Sequence, residues 1–297
     1  MALIRRAEEL LIRAAASGAL PARWFLTLPD EAGLAARTGR LSLEVVSHCW
    51  QYAHLLMYQL SSLVNFPPTR AKVRMTVFHS PEDAATAAML GFFGGLTVPN
   101  VTWNWQLLPR EQLFRRAIGR NRIARTTDAD WLWLTDCDIV FHRDCLDTLA
   151  DRLQGRRDRL LFPRDERVTP MLSDADPTLE AGREQPRVAD IETGAFEHLA
   201  VPRATGAYQI IHGDVARACG YCDQLAYFQR PVTRWAKTFE DRAFRWLMRT
   251  EGVPLDIPGV HRIRHVRKGR YGDNKGEALV RGGIRRAKAQ IKERLST

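Results

Sequence analysis

Trp131-Leu-Trp-Leu-Thr-Asp-Cys-Asp138 joins an apolar run directly to two carboxylates one residue apart. The run predicts a buried strand, and the acidic pair falls just past its carboxyl end. In open parallel sheets, ligands bind outside that end. Two carboxylates so placed can both reach one hard cation, which makes Asp136 and Asp138 candidate ligands for Mn²⁺ or Mg²⁺. A polar turn is the plainer meaning of any Asp-x-Asp pair, and two more occur here. Asp128 and Asp130 precede the strand, on the wrong side of it, and Asp174 and Asp176 follow no strand. Position singles out Asp136 and Asp138.

Outward from this stretch the chain alternates between extended and helical patterns. Leu41–Ser47, Val73–Phe78, Asn100–Trp105 and Arg159–Phe162 read as further strands. Helical spacing covers Tyr52–Leu63, Glu82–Phe92, Arg110–Arg125 and Asp144–Leu153. Such alternation with short loops predicts an α/β fold, a mainly parallel sheet flanked by helices on both faces. Trp103, Trp105, Trp131 and Trp133 fall at period two on strands and are expected in the core.

Residues 164–203 are rich in Asp, Glu, Arg and Pro without periodicity, and predict a long functional loop region. Order resumes with a strand at Ala207–Ile211, helices at Asp214–Ala218 and Phe239–Thr250, and extended segments at Val253–Ile257 and Val260–Val266. The expected organisation is a helical extension over 1–40, a single domain over 41–266 with halves at 41–163 and 164–266, and a basic C-terminal extension over 267–297. In the first extension Leu3, Ile4, Ala7, Leu10, Leu11 and Ala14 form an amphipathic helix pattern.

Composition narrows the class. Hydrophobic residues make up 45% and charged residues 26% of the 297, which suits a folded globular protein. Arg5, Arg6, Glu8, Glu9 and Arg13 interrupt the first apolar stretch, against a signal-peptide core, and no run is long enough to span a bilayer. A cytoplasmic protein is expected. Cys49, Cys137, Cys145, Cys219 and Cys222 are odd in number and unevenly spaced, giving no disulfide framework. The net charge of +10 is local: His261–Thr297 holds twelve Lys or Arg against three Asp or Glu, while the first 260 residues hold 32 and 31. A patch of this kind suits phosphates, an anionic lipid surface or a charged glycan. The apolar stripe Val280, Ile284, Ala287, Ile291 and Leu295 fits either a packed helix or one lying on anionic lipid at the inner membrane face.

Several ordered motifs over residues 41–266 make the chain resemble GT-A-fold (Rossmann-like) glycosyltransferases, closest to glycosyltransferase family 2. Leu43-Glu-Val-Val-Ser-His-Cys-Trp-Gln51 resembles that family's opening strand and donor-binding loop. Arg116-Ala-Ile-Gly-Arg-Asn-Arg122 is similar to its Ala-Arg-Asn segment. Thr127–Asp138 resembles its turn, strand and metal motif, and Thr205-Gly-Ala-Tyr-Gln-Ile-Ile-His212 its Gly-containing strand beside the donor sugar. Cys219-Gly-Tyr-Cys-Asp223 resembles its Gly-Gly-Phe/Tyr-Asp turn, which accounts for the C-x-x-C without redox chemistry. Phe239-Glu-Asp241 resembles its Glu-Asp motif. Phe78-His-Ser-Pro-Glu-Asp83 departs from the family's Asp-Asp-Gly-Ser.

The resemblance implies a metal-dependent enzyme that moves a sugar from a nucleotide sugar, foremost a UDP-sugar, to a hydroxyl acceptor. It implies donor binding by Ser47, Cys49, His79, Arg116, Asn121, Asp136, Cys137, Gly206 and Ala207, with Arg267 and Lys268 in a loop over the diphosphate. Asp241, with Glu240 beside it, would be the base of an inverting transfer. A capping role after Thr238 and an i,i+4 pair with Arg245 are the structural alternatives for Asp241. His265 would complete the metal shell or is a surface histidine in a basic strand. The Gly-containing strand also resembles retaining relatives. A non-catalytic basic module that binds membrane or nucleic acid is the competing class, disfavoured because the charge is confined to the tail. No nucleic acid is expected as partner. A pyrophosphorylase would need a Gly-rich loop after the first strand, where the chain has Ser47-His-Cys-Trp50.

Overall fold

A computed structural model describes residues 2–234 and 238–266. The expected C-terminal helix, Arg267 and Lys268 lie outside the described residues. The chain opens with α1 (Ala2–Ala14), a wide turn at Ala15–Ala19 and two short 3-10 turns. It continues through β1 (Leu41–His48), α2 (Ala53–Asn65), β2 (Ala71–His79), α3 (Ala84–Gly94) and β3 (Val101–Leu107). Next come α4 (Arg110–Leu113), α5 (Arg116–Thr126), β4 (Trp131–Leu134), β5 (Ile139–Phe141), α6 (Cys145–Arg152), β6 (Leu160–Pro163) and β7 (Asp165–Val168). The rest is α7 (Pro177–Ala181), β8 (Glu197–Ala200), β9 (Gln209–His212), α8 (Gly213–Cys219), α9 (Ala226–Gln229), α10 (Glu240–Met248), β10 (Val253–Leu255) and β11 (Val260–Arg262).

Seven strands form one sheet in the order β10-β6-β9-β4-β1-β2-β3, parallel except for β9, which runs against both neighbours. β1 and β4 are buried along nearly their whole length because helices cover both faces, as an α/β sheet requires. The carboxylate on β1, Glu44, accepts hydrogen bonds from Thr76 and Thr127 at 2.6 Å each and lies 3.6 Å from Arg74. That pairing offsets the cost of burying its charge. A second sheet, β5-β11-β7-β8, stands beyond the carboxyl end of β4.

Four expectations need correction. The region 164–203 is not a structureless loop: β7, α7 and β8 lie in it, and two of these build the second sheet. The two expected halves interleave, since β9 and β10 complete the first sheet while β5 joins the second. The helix expected over 110–125 is broken at Arg115, which is extended (φ −106°, ψ 82°) and stacks its guanidinium on Tyr227. Trp131 and Trp133 are buried as expected, but Trp103 and Trp105 are only partly so, because β3 is the outer strand. At the N-terminus, α1 buries Ile12 and leaves Leu10 and Leu11 exposed. Among the described residues, no helix is long and apolar enough to cross a membrane.

Candidate active site

The turn after β4 is held from three sides. Thr135 N–H bonds to the Val46 carbonyl of β1 at 2.9 Å. Gln59, buried on α2, donates to the carbonyls of Asp136 (2.9 Å) and Ile139 (3.0 Å). Ile263 N–H, just past β11, bonds to the Asp138 carbonyl at 2.9 Å. Ile139 N–H closes the turn on the Asp136 carbonyl at 3.1 Å. Cys137 is buried against Cys49, and that contact, together with burial, raises its thiol pKa. Asp136 and Asp138 are less buried, with side chains 38% and 14% exposed.

Asp136 faces arginines. Arg116 Nη1 donates to its Oδ1 at 2.5 Å, and Arg120 Nη2 lies 3.6 Å from the same oxygen. Both guanidinium groups also face Glu240, at 3.4 and 3.6 Å, although neither Glu240 oxygen accepts a hydrogen bond of normal geometry. Burial opposes the charge on Arg116, yet the carboxylates of Asp136 and Glu240 hold its pKa above the ordinary arginine value. Arg120 is fully buried and also donates to the Gly206 carbonyl (2.6 Å) and to Tyr221 Oη (3.1 Å). Gly206 sits between these arginines and Asp241: a Cβ built on it would lie 3.8 Å from each guanidinium and 3.9 Å from Asp241 Cβ. The expected Thr238 cap is not formed, since Phe239 precedes the helix and no side chain caps it. Asp241 does meet Arg245, at 3.4 Å.

Asp138 faces the other way. His265 Nε2 lies 3.9 Å from its Oδ2, too long for a hydrogen bond but short enough for one cation to touch both. Arg262 donates to Glu166 at 2.7 Å, and Tyr208 Oη donates to the same carboxylate. Asp138 acts electrostatically on all three of these groups, and burial raises the pKa of Glu166. Beyond His265 the Tyr52 ring stands edge-on at 5.3 Å and the His54 ring at 6.5 Å. These two line a cavity of about 490 Å³ with Gln51, Asp83, Arg183 and Glu184. It opens past the carboxyl ends of β1 and β2.

The structure therefore gathers Arg116, Asp136, Gly206, Glu240 and Asp241 on one side of the acidic turn and sets Asp138 beside His265 on the other. It gives other work to three expected donor-binding side chains. Ser47 is buried and donates to Gln59 at 2.7 Å; Cys49 is buried and meets Thr86 at 3.2 Å. Asn121 donates to Asp223 at 2.7 Å and accepts from Tyr221 N–H at 2.9 Å, so it fastens the turn around Gly220. His79 ends β2 as a buried ring whose pKa burial lowers, and the Ala207 carbonyl accepts from Trp133 Nε1 at 3.1 Å. Sequence reasoning missed Glu166, Tyr208 and Arg262. Glu166 stands between Asp165 and Arg167, Arg262 between His261 and Ile263, and Tyr208 between Ala207 and Gln209, contexts with no distinguishing signal.

Among the described residues, no group of three or more His, Cys, Asp or Glu side chains is arranged to hold a metal ion. The donor chemistry of Asp136, Asp138 and His265, hard oxygens and one imidazole, fits Mn²⁺ or Mg²⁺. No protein-family model and no curated protein matches this chain.

Proposed function

We propose that the chain is a metal-dependent glycosyltransferase, moving a sugar from a nucleotide-diphosphate sugar to a hydroxyl acceptor. One observation carries the reading. The Asp136–Asp138 turn lies between a nucleoside-sized cavity, reached through His265, Tyr52 and His54, and a carboxylate, Asp241, beside Gly206. The order cavity, acidic turn, glycine, carboxylate matches the order nucleoside, diphosphate, sugar, acceptor along a donor complex. The sheet, parallel except for β9, is compatible with the resemblance to GT-A enzymes.

The nucleoside occupies the cavity and its diphosphate lies along the acidic turn. Asp136, Asp138 and His265 would hold the cation, which when bound neutralises the diphosphate leaving group. Arg116 adds positive charge on the same side. Gly206 leaves room for the sugar, since any Cβ there would point between Arg116, Arg120 and Asp241. Asp241 takes the proton of the acceptor hydroxyl as its oxygen bonds to the anomeric carbon; the bond from that carbon to the diphosphate oxygen breaks, and the nucleoside diphosphate departs. UDP is the nucleotide to test first. Calorimetric titration of the whole chain with UDP and with GDP, each with and without MnCl₂, is the direct assay. Binding that requires Mn²⁺ and is lost in Asp138→Ala is the expected result. No nucleotide binding under any of these conditions would overturn the proposal.

A further inference from the structure

The helix that carries Asp241 is held from two sides. Its core side, with Glu240, Ala243, Phe244, Leu247 and Met248, is buried. Along the helix and at its two ends, Phe239, Arg242, Trp246 and Arg249 recur at spacings of three and four, which puts them together on the outer side. Each of these four meets the N-terminal extension. The Arg13 guanidinium lies 4.4 Å above the Phe239 ring. Arg242 Nε donates to the Ala16 carbonyl at 3.1 Å, Trp246 Nε1 to the Leu20 carbonyl at 3.0 Å, and Arg249 Nη2 to the Leu26 carbonyl at 2.6 Å. Phe25 stands edge-on to the Trp246 ring at 5.0 Å. Arg230, between α9 and α10, pairs with Glu8 at 2.6 Å.

Backbone chemistry explains why these carbonyls take side-chain donors. The last carbonyls of a helical segment have no partner within it. Ala16 lies in the wide turn after α1, where Gly18 takes φ 99° and Leu20 is extended, so the helical ladder stops there. A cationic donor such as Arg242 also suits the negative end of a helix. Asp241 belongs to neither side of α10. It lies beside Gly206, with its Cβ 3.9 Å from the position a Cβ on that glycine would take. A roll of the helix about its own axis would therefore move Asp241 relative to Gly206, while the acidic turn after β4 stays where it is.

We propose that residues 13–26 are a positioning strap: they fix the roll of α10 and so set Asp241 against Gly206. Hydrogen bonds are directional where apolar packing is not, and three of them strung along one side of a helix fix its orientation as well as its place. Arg242, Trp246 and Arg249 are positioning residues, acting on the site only through Asp241. The consequence for rate rests on the reading of Asp241 as the base; the geometric claim stands without it.

The spacing of Gly206 and Asp241 provides the test, since a Cβ separation of 3.9 Å lies inside the disulfide range. Gly206→Cys/Asp241→Cys in the full chain, oxidised with copper phenanthroline and mapped by mass spectrometry, should cross-link readily; the five native cysteines are all buried. Adding Arg242→Met/Trp246→Phe/Arg249→Met removes the three donors, keeps most of the side-chain bulk, and should slow the cross-link about tenfold or more. With Gly206 and Asp241 intact, the same three changes should lower kcat per folded molecule about tenfold or more and leave the nucleotide dissociation constant unchanged, because a misplaced reacting group costs rate rather than binding. Arg242→Lys/Arg249→Lys keeps a donor for both carbonyls and should cross-link and turn over at the parent rates. A cross-link equally fast without the donors overturns the proposal, as does a parent pair that never cross-links or an unchanged kcat in the triple variant. A chain that binds no nucleotide and transfers no sugar would refute the catalytic reading alone, and the cross-linking rates would still decide the strap.

Discussion

Replacing Arg120 by Met tests whether the charge cluster beside Asp136 holds the fold as well as the site. Arg120 has no solvent-exposed side-chain surface, and Glu240 has almost none. Two guanidinium groups at 3.4 and 3.6 Å compensate the Glu240 carboxylate, whose oxygens accept no hydrogen bond. Removing one partner of a buried ion pair costs about 3–5 kcal/mol, because the other charge stays buried with less compensation. The Gly206 carbonyl and Tyr221 hydroxyl lose their donor as well. Urea denaturation followed by far-UV circular dichroism measures the loss, and the slope m should not change. For a chain of this size the melting temperature should fall by roughly 10 °C. Arg120→Met/Glu240→Gln removes the stranded charge and should recover about half of the lost stability. A loss below about 1 kcal/mol, or a double variant no more stable than the single one, would refute the reasoning.

Asp241→Asn should keep nucleotide affinity and lower transfer about 10²- to 10⁴-fold, the range for loss of a general base, measured by release of nucleoside diphosphate. Gly119→Ala should destabilise by about 1–3 kcal/mol in the same urea titration, since its Cβ overlaps the His48 ring and presses on Phe78, both buried. Burial lowers the pKa of His48, reinforced by Arg120 and Arg116, and burial also lowers that of His261. The folded chain therefore binds fewer protons than the unfolded one. Stability is full above the unfolded value of about 6.5 and falls as pH drops from there toward 5, by up to about 1.4 kcal/mol per unit for each ring. His48→Phe should flatten this dependence; an unchanged pH profile in that variant would assign the effect elsewhere.

The first sheet was legible because β1 and β2 run for eight and nine residues and β4, though short, is wholly apolar, with helices between them. The second sheet was not. Asp165-Glu-Arg-Val168 and Glu197-His-Leu-Ala200 are four residues each, mostly polar, and pair with strands up to a hundred residues away, so neither leaves a periodic trace. The same cause hid part of the site. Asp136 and Asp138 announce themselves because a buried strand runs directly into them. Glu166 and Arg262 become neighbours of Asp138 only once β7 and β11 have paired.

The buried charges also explain why fold and site are hard to separate here. Arg120 is out of reach of any ligand, so its work is indirect. It ties α5 to the Gly206 carbonyl ahead of β9, to Tyr221 in the turn after α8, and to Glu240 in the first turn of α10. Asp241 is the next residue along α10, so the contact that fixes Glu240 also sets where Asp241 stands relative to Gly206. Arg116, on the same face of α5 one turn earlier, bridges Asp136 and Glu240. One helix thus links the acidic turn to the first turn of α10, where Asp241 stands. If the site transfers a sugar, Arg120→Met must slow the reaction even in the molecules that remain folded, whereas Gly119→Ala, whose Cβ meets His48 and Phe78 and none of the groups around Gly206, should cost stability with a smaller loss of rate per folded molecule.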